Sequence, residues 1–167
     1  MQVASIYPQL TEDEIKAGLL IAQTSSKHRH ALILHKPGDE FNRAVNFILR
    51  DSYMQPHMHP GSEKIEDIYL IAGTMSVFFF DENGRIEQSY LLHDESLKKV
   101  TVPAFTWHTY TVLSEFAVTY ETMMGVYDVK TWKKFAMWAP PELTSESYTY
   151  HHKLCLAHLK VIAANNL

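Results

Sequence analysis

QPHMHPGSEKIEDIYLIAG, residues Gln55 to Gly73, is the stretch that decides how this chain reads. It sets His57 and His59 one residue apart between Pro56 and Pro60, then gives Gly61, Glu63 and Glu66, then an apolar run up to Gly73. Residues two apart on a strand point to the same face. His57 and His59 therefore present two imidazoles side by side, and the flanking prolines restrict the backbone that carries them. After the turn at Pro60-Gly61-Ser62 a second strand starts near Ile65, with Glu66, Ile68 and Leu70 on one face. A carboxylate at the mouth of that strand completes a nitrogen and oxygen donor set suited to Fe, Mn, Ni, Cu or Zn. Two histidines alone would be equally at home on an exposed loop, so the surrounding chain must decide.

Outward from this stretch the texture is that of short β segments. Upstream lie ALILH (31–35), the turn KPGDE, and AVNFILR (44–50), where Val45, Phe47 and Leu49 alternate against Asn46, Ile48 and Arg50. The run from Tyr53 to His59 reads as a strand, followed by IEDIYLIA and then TMSVFFF as separate strands. In DENGR, Asn83-Gly84 signals a hairpin because both residues accept positive φ. IEQSYLL returns, and after the polar HDESLKK come VTVP, HTYTVL and FAVTYETMM. Eight or more short strands with no interleaved helices predict an antiparallel sandwich or barrel, most simply a jelly roll.

The flanks differ. LTEDEIKAGLLIAQTSS predicts a helix: Thr11 stands three residues before Glu14, the capping-box spacing, and Ile15, Leu19 and Ala22 keep helical period. KKFAMWAPPE reads as an extended segment packed on the domain. The closing SYTYHHKLCLAHLKVIAANN permits a helix through Leu154, Leu156, Leu159 and Ile162. We expect one domain over 1–167, with a core at about 29–142, a helical extension over 1–28 and a tail over 143–167.

Composition narrows the function classes. At 167 residues, 46% of them hydrophobic, the chain can bury a core without staples. The net charge of −4, with only Lys98-Lys99 and Lys133-Lys134 as basic pairs, argues against nucleic acid as a partner. A lone Cys155 fits a reducing compartment. No apolar run approaches the ~20 residues of a membrane span. Glu12, Asp13 and Glu14 stand where a secretory signal needs a positive lead and an apolar block. The expectation is a cytoplasmic protein with no membrane and no nucleic-acid partner.

The motifs resemble those of the cupin superfamily. Its first motif is HxH, a glutamate, six residues and a glycine, here His57-Met58-His59 with Glu66 six residues before Gly73. Its second is a proline, a spaced glycine and a histidine, here Pro103-Ala104-Phe105-Thr106-Trp107-His108. The chain departs from the pattern at Asp51 and Phe105, where glycines are usual. The gap from His59 to Glu66 is also two residues longer than usual, so Glu63 fits the usual gap and Glu66 fits the distance to Gly73. We prefer Glu66, because a glycine ending the same strand fixes that distance, while the path back to the histidines crosses a turn. Glu63 then reads as a solvated turn residue.

A narrower resemblance adds QPHMHP, FFFDENGRI, PAFTWHT, YETMMGVYD and KKFAMWAP, which are similar to the WbuC family of cupin-fold metalloproteins, often associated with surface polysaccharides. It covers about Arg29 to Glu142, and Arg29 and His35 match that family's arginine and histidine before the core. The resemblance implies a double-stranded β-helix, a divalent transition metal on His57, His59, Glu66 and His108, and a small-molecule ligand. It also implies a homodimer formed through the sheet edge. Three histidines and a carboxylate leave two positions open on a six-coordinate ion, as a catalytic site requires. Glu121, opposite Tyr120 on its strand, is either an inward proton acceptor or an outward surface acid. Tyr127 and Tyr110 are candidate hydrogen-bond donors in the cavity or core fillers. The expected function is a metal-dependent enzyme, isomerase- or oxygenase-type, on a small polar, sugar-related compound. The alternative is a ligand-binding or sensing cupin without turnover.

Overall fold

A computed structural model describes the backbone of residues 6–165 and the side chains of residues 6–158. The order is α1 (Glu12–Thr24), β1 (Arg29–Ile33), β2 (Phe41–Leu49), β3 (His57–Met58), β4 (Glu66–Phe80), β5 (Ile86–His93), β6 (Lys99–Val102), β7 (Trp107–Met124), β8 (Lys134–Phe135) and α2 (Ser145–Asn165). All ladders between these strands are antiparallel. One sheet runs β1-β2-β7-β3-β8, and β4 joins it through β7 while also pairing β5 and β6. The result is the curled, mostly β architecture of a cupin jelly roll, with a helix at each end of the chain.

Two long strands make the sheet curl, and here the structure corrects the sequence. IEDIYLIA and TMSVFFF are a single strand, β4, and HTYTVL and FAVTYETMM are a single strand, β7. Gly73 does not end its strand. It sits at φ +91° inside β4, where the register against β7 shifts. Such a bulge bends a strand without breaking it. Ser114 on β7 fills the gap, accepting the Thr74 N–H at 2.8 Å, so the irregular backbone stays hydrogen-bonded. A Cβ on Gly73 would run into the Phe116 carbonyl and the Ser114 hydroxyl. Gly73→Ala is therefore expected to destabilise the fold by about 3 kcal/mol, combining a left-handed backbone with a main-chain clash. Urea unfolding of the variant would measure it.

Smaller corrections follow the same logic. Of the run from Tyr53 to His59 only His57–Met58 is strand, since Pro56 has no N–H for a ladder. At the β4–β5 turn Gly84 has positive φ but Asn83 does not. The Asp81 carboxylate instead holds the turn, accepting the N–H groups of Asn83 and Arg85 at 2.8 and 2.9 Å.

The core lies in three places. Inside the barrel, Ile68, Leu70, Met75, Val77 and Leu92 are buried together. Outside it, α1 lays Ile15, Leu19 and Ala22 on Phe47 and Val45 of β2. Gly18 explains how close α1 comes, because a Cβ there would enter the Phe47 ring. The capping box at Thr11 and Glu14 forms as the spacing predicts. On the opposite side, the tail and α2 cover Phe78 and Phe80 with Ala136, Ala139 and Leu154. Leu156 on α2 is exposed, and the side chains of Leu159 and Ile162 lie outside the described residues.

Candidate metal centre

β3 and β7 pair so that His57 stands directly opposite His108. His59 follows one residue after β3, at the turn where its carbonyl accepts the Phe105 N–H at 3.4 Å. Phe105 has φ +59°, a conformation that favours glycine, so the departure from the cupin pattern is accommodated as left-handed backbone. That turn delivers His108 beside the first two histidines. The ring centroids are 4.4 Å apart for His57 and His108, 5.1 Å for His57 and His59, and 5.5 Å for His59 and His108. One nitrogen from each ring lies within 4.8 Å of the others, and all three rings are buried.

Each imidazole is fixed from behind by main chain. The Nδ1 atoms of His57, His59 and His108 meet the carbonyls of Gln55, Trp132 and Thr106 at 3.1, 2.7 and 2.9 Å. A carbonyl only accepts, so Nδ1 carries the proton in each ring and the lone pair of a neutral ring sits on Nε2. Burial, with Lys133 and the other two rings nearby, holds His57 well below the usual histidine range and keeps it neutral.

Glu66 is the first residue of β4 and shares its inward face with Ile68 and Leu70. Its Oε2 lies 3.1 Å from His108 Nε2 and 3.6 Å from His59 Nε2. Burial pushes this carboxyl up, but the hydrogen bond with His108 and the proximity of His59 outweigh it and hold Glu66 well below the carboxylate range. Glu63 lies elsewhere, in a surface depression with Glu40, Met124 and Gly125.

The donor set suits a metal ion. His59 Nε2 is buried with no hydrogen-bond partner and lies 3.6 Å from Glu66 Oε2. A buried polar nitrogen left without a partner is costly, and a bound cation would remove that cost. The pocket among His57, Glu66, Ile68, His108 and Glu121 has a volume of about 30 Å³, room for an ion or one water. Three buried imidazoles within reach of one another can hold a metal.

The other expected residues divide. Glu121 on β7 faces inward, takes the Thr119 hydroxyl at 2.8 Å, and lines the triad's pocket with Glu66. Burial, then the Glu66 charge, raises its pKa to about 7. Tyr110 lines the same pocket, its phenol pushed by burial to about 12. Tyr127 does not line it. It is half-exposed, edge-on to Trp132 with ring centroids 5.1 Å apart, and lines a separate cavity that also reaches Glu66 and Glu121. Arg29 is held by Glu142 at 2.7 Å and by the Tyr53 carbonyl at 2.9 Å, and His35 binds the Arg43 backbone.

Sequence reasoning missed Lys133, which lines the triad's pocket, and Trp132, whose carbonyl orients His59. Burial lowers the Lys133 pKa, opposed by Glu66 and Glu121. Reading the tail as a strand would have found it, because β8 pairs with β3 and alternation sets Lys133 apart from Lys134.

Fold and site together define a cupin-fold protein with a buried histidine triad. Residues 10–92 match a family model described as "Domain of unknown function (DUF6016)". No curated protein matches the sequence. Among solved structures, the chain is similar to oxalate oxidase in complex with the substrate analogue glycolate, at 10% identity and TM-score 0.52, over 67% of this chain and 57% of that one. It is also similar to the capsular polysaccharide assembling protein CapF from Staphylococcus aureus, at 19% identity and TM-score 0.50, over 64% of this chain and 34% of that one. The chain thus spans a third to just over half of these proteins, and at such identities the likeness is one of fold.

Proposed function

We propose that this chain is a WbuC-like, metal-dependent cupin enzyme that acts on a small, polar, hydroxylated and sugar-related compound. The observation that carries the reading is the cluster of three buried imidazoles, each anchored through Nδ1 to a main-chain carbonyl, with the Glu66 carboxylate beside two of them, His108 and His59. His57, His59, Glu66 and His108 would hold Fe, Mn, Ni, Cu or Zn. When bound, such an ion supplies Lewis acidity toward a substrate oxygen.

The chain's own groups do the rest. Glu121, beside the triad with a pKa near 7, is suited to take a proton from a substrate C–H or O–H and return it, as an isomerase requires. Thr119 keeps one Glu121 oxygen engaged, which orients the carboxyl toward the cavity. Trp132 orients His59 and, with Tyr127, lines the neighbouring cavity that reaches Glu66 and Glu121.

Cobalt-substituted protein tests catalysis against mere binding. Hydroxylated probe compounds are expected to change its visible spectrum and to be turned over, with turnover lost in Glu121→Gln and the spectral change retained. A spectral change without turnover in the wild type would identify a ligand-binding cupin instead.

A further inference from the structure

The triad's pocket shares Met54, Tyr110, Glu121 and Lys133 with a larger cavity of about 350 Å³. That volume suits a small organic molecule rather than an ion. Its wall carries Lys27, Arg29 and Lys133 but only one carboxylate, Glu121. Behind the wall, Glu142 binds both Lys27 at 2.8 Å and Arg29 at 2.7 Å, so one carboxylate serves two cations. Lys133 has no ion pair among the described residues. Its only hydrogen-bonding contact there is Met54 Sδ at 3.8 Å, a weak acceptor.

An ammonium partly withdrawn from water with no carboxylate in ion-pair contact is costly, and an incoming anion relieves that cost. Tyr110 and Glu121 line both the triad's pocket and this cavity, as a hydroxyl and a carboxyl able to hydrogen-bond a polar carbon chain.

We infer that this cavity binds the carboxylate of a small hydroxylated organic acid, with Lys133 as the partner of that carboxylate and Arg29 as the neighbouring cation. The hydroxyl-bearing end of the acid faces His57, Glu66 and His108. Only the placement of that end rests on the metal-centre reading; the carboxylate end rests on Lys133 and Arg29. Among the polar compounds proposed above, this selects sugar acids and other hydroxy acids over neutral sugars.

The test is calorimetric titration of the full chain, as purified, with lactate and with lactamide, which have the same carbon chain and hydroxyl but differ in charge. Metal content is measured on each sample. Lactate is expected to bind at least about tenfold more tightly than lactamide. Lys133→Met should bring lactate down to the lactamide level, Lys133→Arg should keep most of the preference, and metal content should be the same in all three proteins. Equal binding of the two probes by the wild type, binding of neither, or a preference that survives Lys133→Met would overturn the inference. A Lys133-dependent preference in protein that holds no metal would uphold the carboxylate site and remove the metal reading alone.

Discussion

His57→Ala is expected to lower the affinity for a divalent transition ion at least about 100-fold, more than removal of an outer-shell partner usually costs. The reason is position. His57 sits opposite His108 across the β3–β7 ladder, its ring the nearest to His108, and its loss leaves two of the three clustered imidazoles. Glu66→Ala should cause a loss of similar size, because Glu66 Oε2 is the carboxylate oxygen within reach of both His59 and His108. Glu63→Ala should leave affinity unchanged, since Glu63 lies in a separate depression. Competition with a chromophoric chelator reads all three. Retention in Glu66→Ala with loss in Glu63→Ala would reverse the assignment of the carboxylate.

The second large effect concerns Glu121 and pH. Burial, with the Glu66 charge beside it, raises this carboxyl from 4.5 to about 7. The folded protein therefore holds a proton that the unfolded chain releases above about 4.5. The stabilisation from that proton is complete below the unfolded pKa and is lost as pH rises through about 7. Above pH 7 the folded state carries the full cost of a buried, charged carboxylate. Metal-stripped Glu121→Gln should then be more stable than stripped wild type by about 2–3 kcal/mol at pH 8. The gap should shrink toward zero near pH 5. Urea unfolding at the two pH values measures it, and a gap independent of pH would mean that Glu121 is solvated.

Much of this architecture was legible in local patterns. Thr11 and Glu14 announced the start of α1 because a capping box is a contact between residues three apart. The HxH spacing brought the rings of His57 and His59 to 5.1 Å of each other, although His59 lies just past the end of β3. Glu66 could be preferred to Glu63 because its distance to Gly73 lies within one strand, although Gly73 bends that strand rather than ending it. What escaped the sequence was non-local. The fusion of two short runs into β4, and of two into β7, depends on Ser114 satisfying the bulge at Thr74 from the neighbouring strand. Lys133 looked like half of a surface basic pair, and only the pairing of β8 with β3 brings it to the triad. Phe105 hid a position where glycine would be at ease, since its backbone takes the left-handed turn regardless of its side chain.

The measurement that bears most directly on the central claim is metal content by elemental mass spectrometry, on protein purified without a histidine tag or added metal. The arrangement of His57, His59, Glu66 and His108 predicts close to one Fe, Mn, Ni, Cu or Zn per chain, with the metal lost in His57→Ala. No metal in the wild type, and none taken up on dialysis against each of these ions, would contradict it.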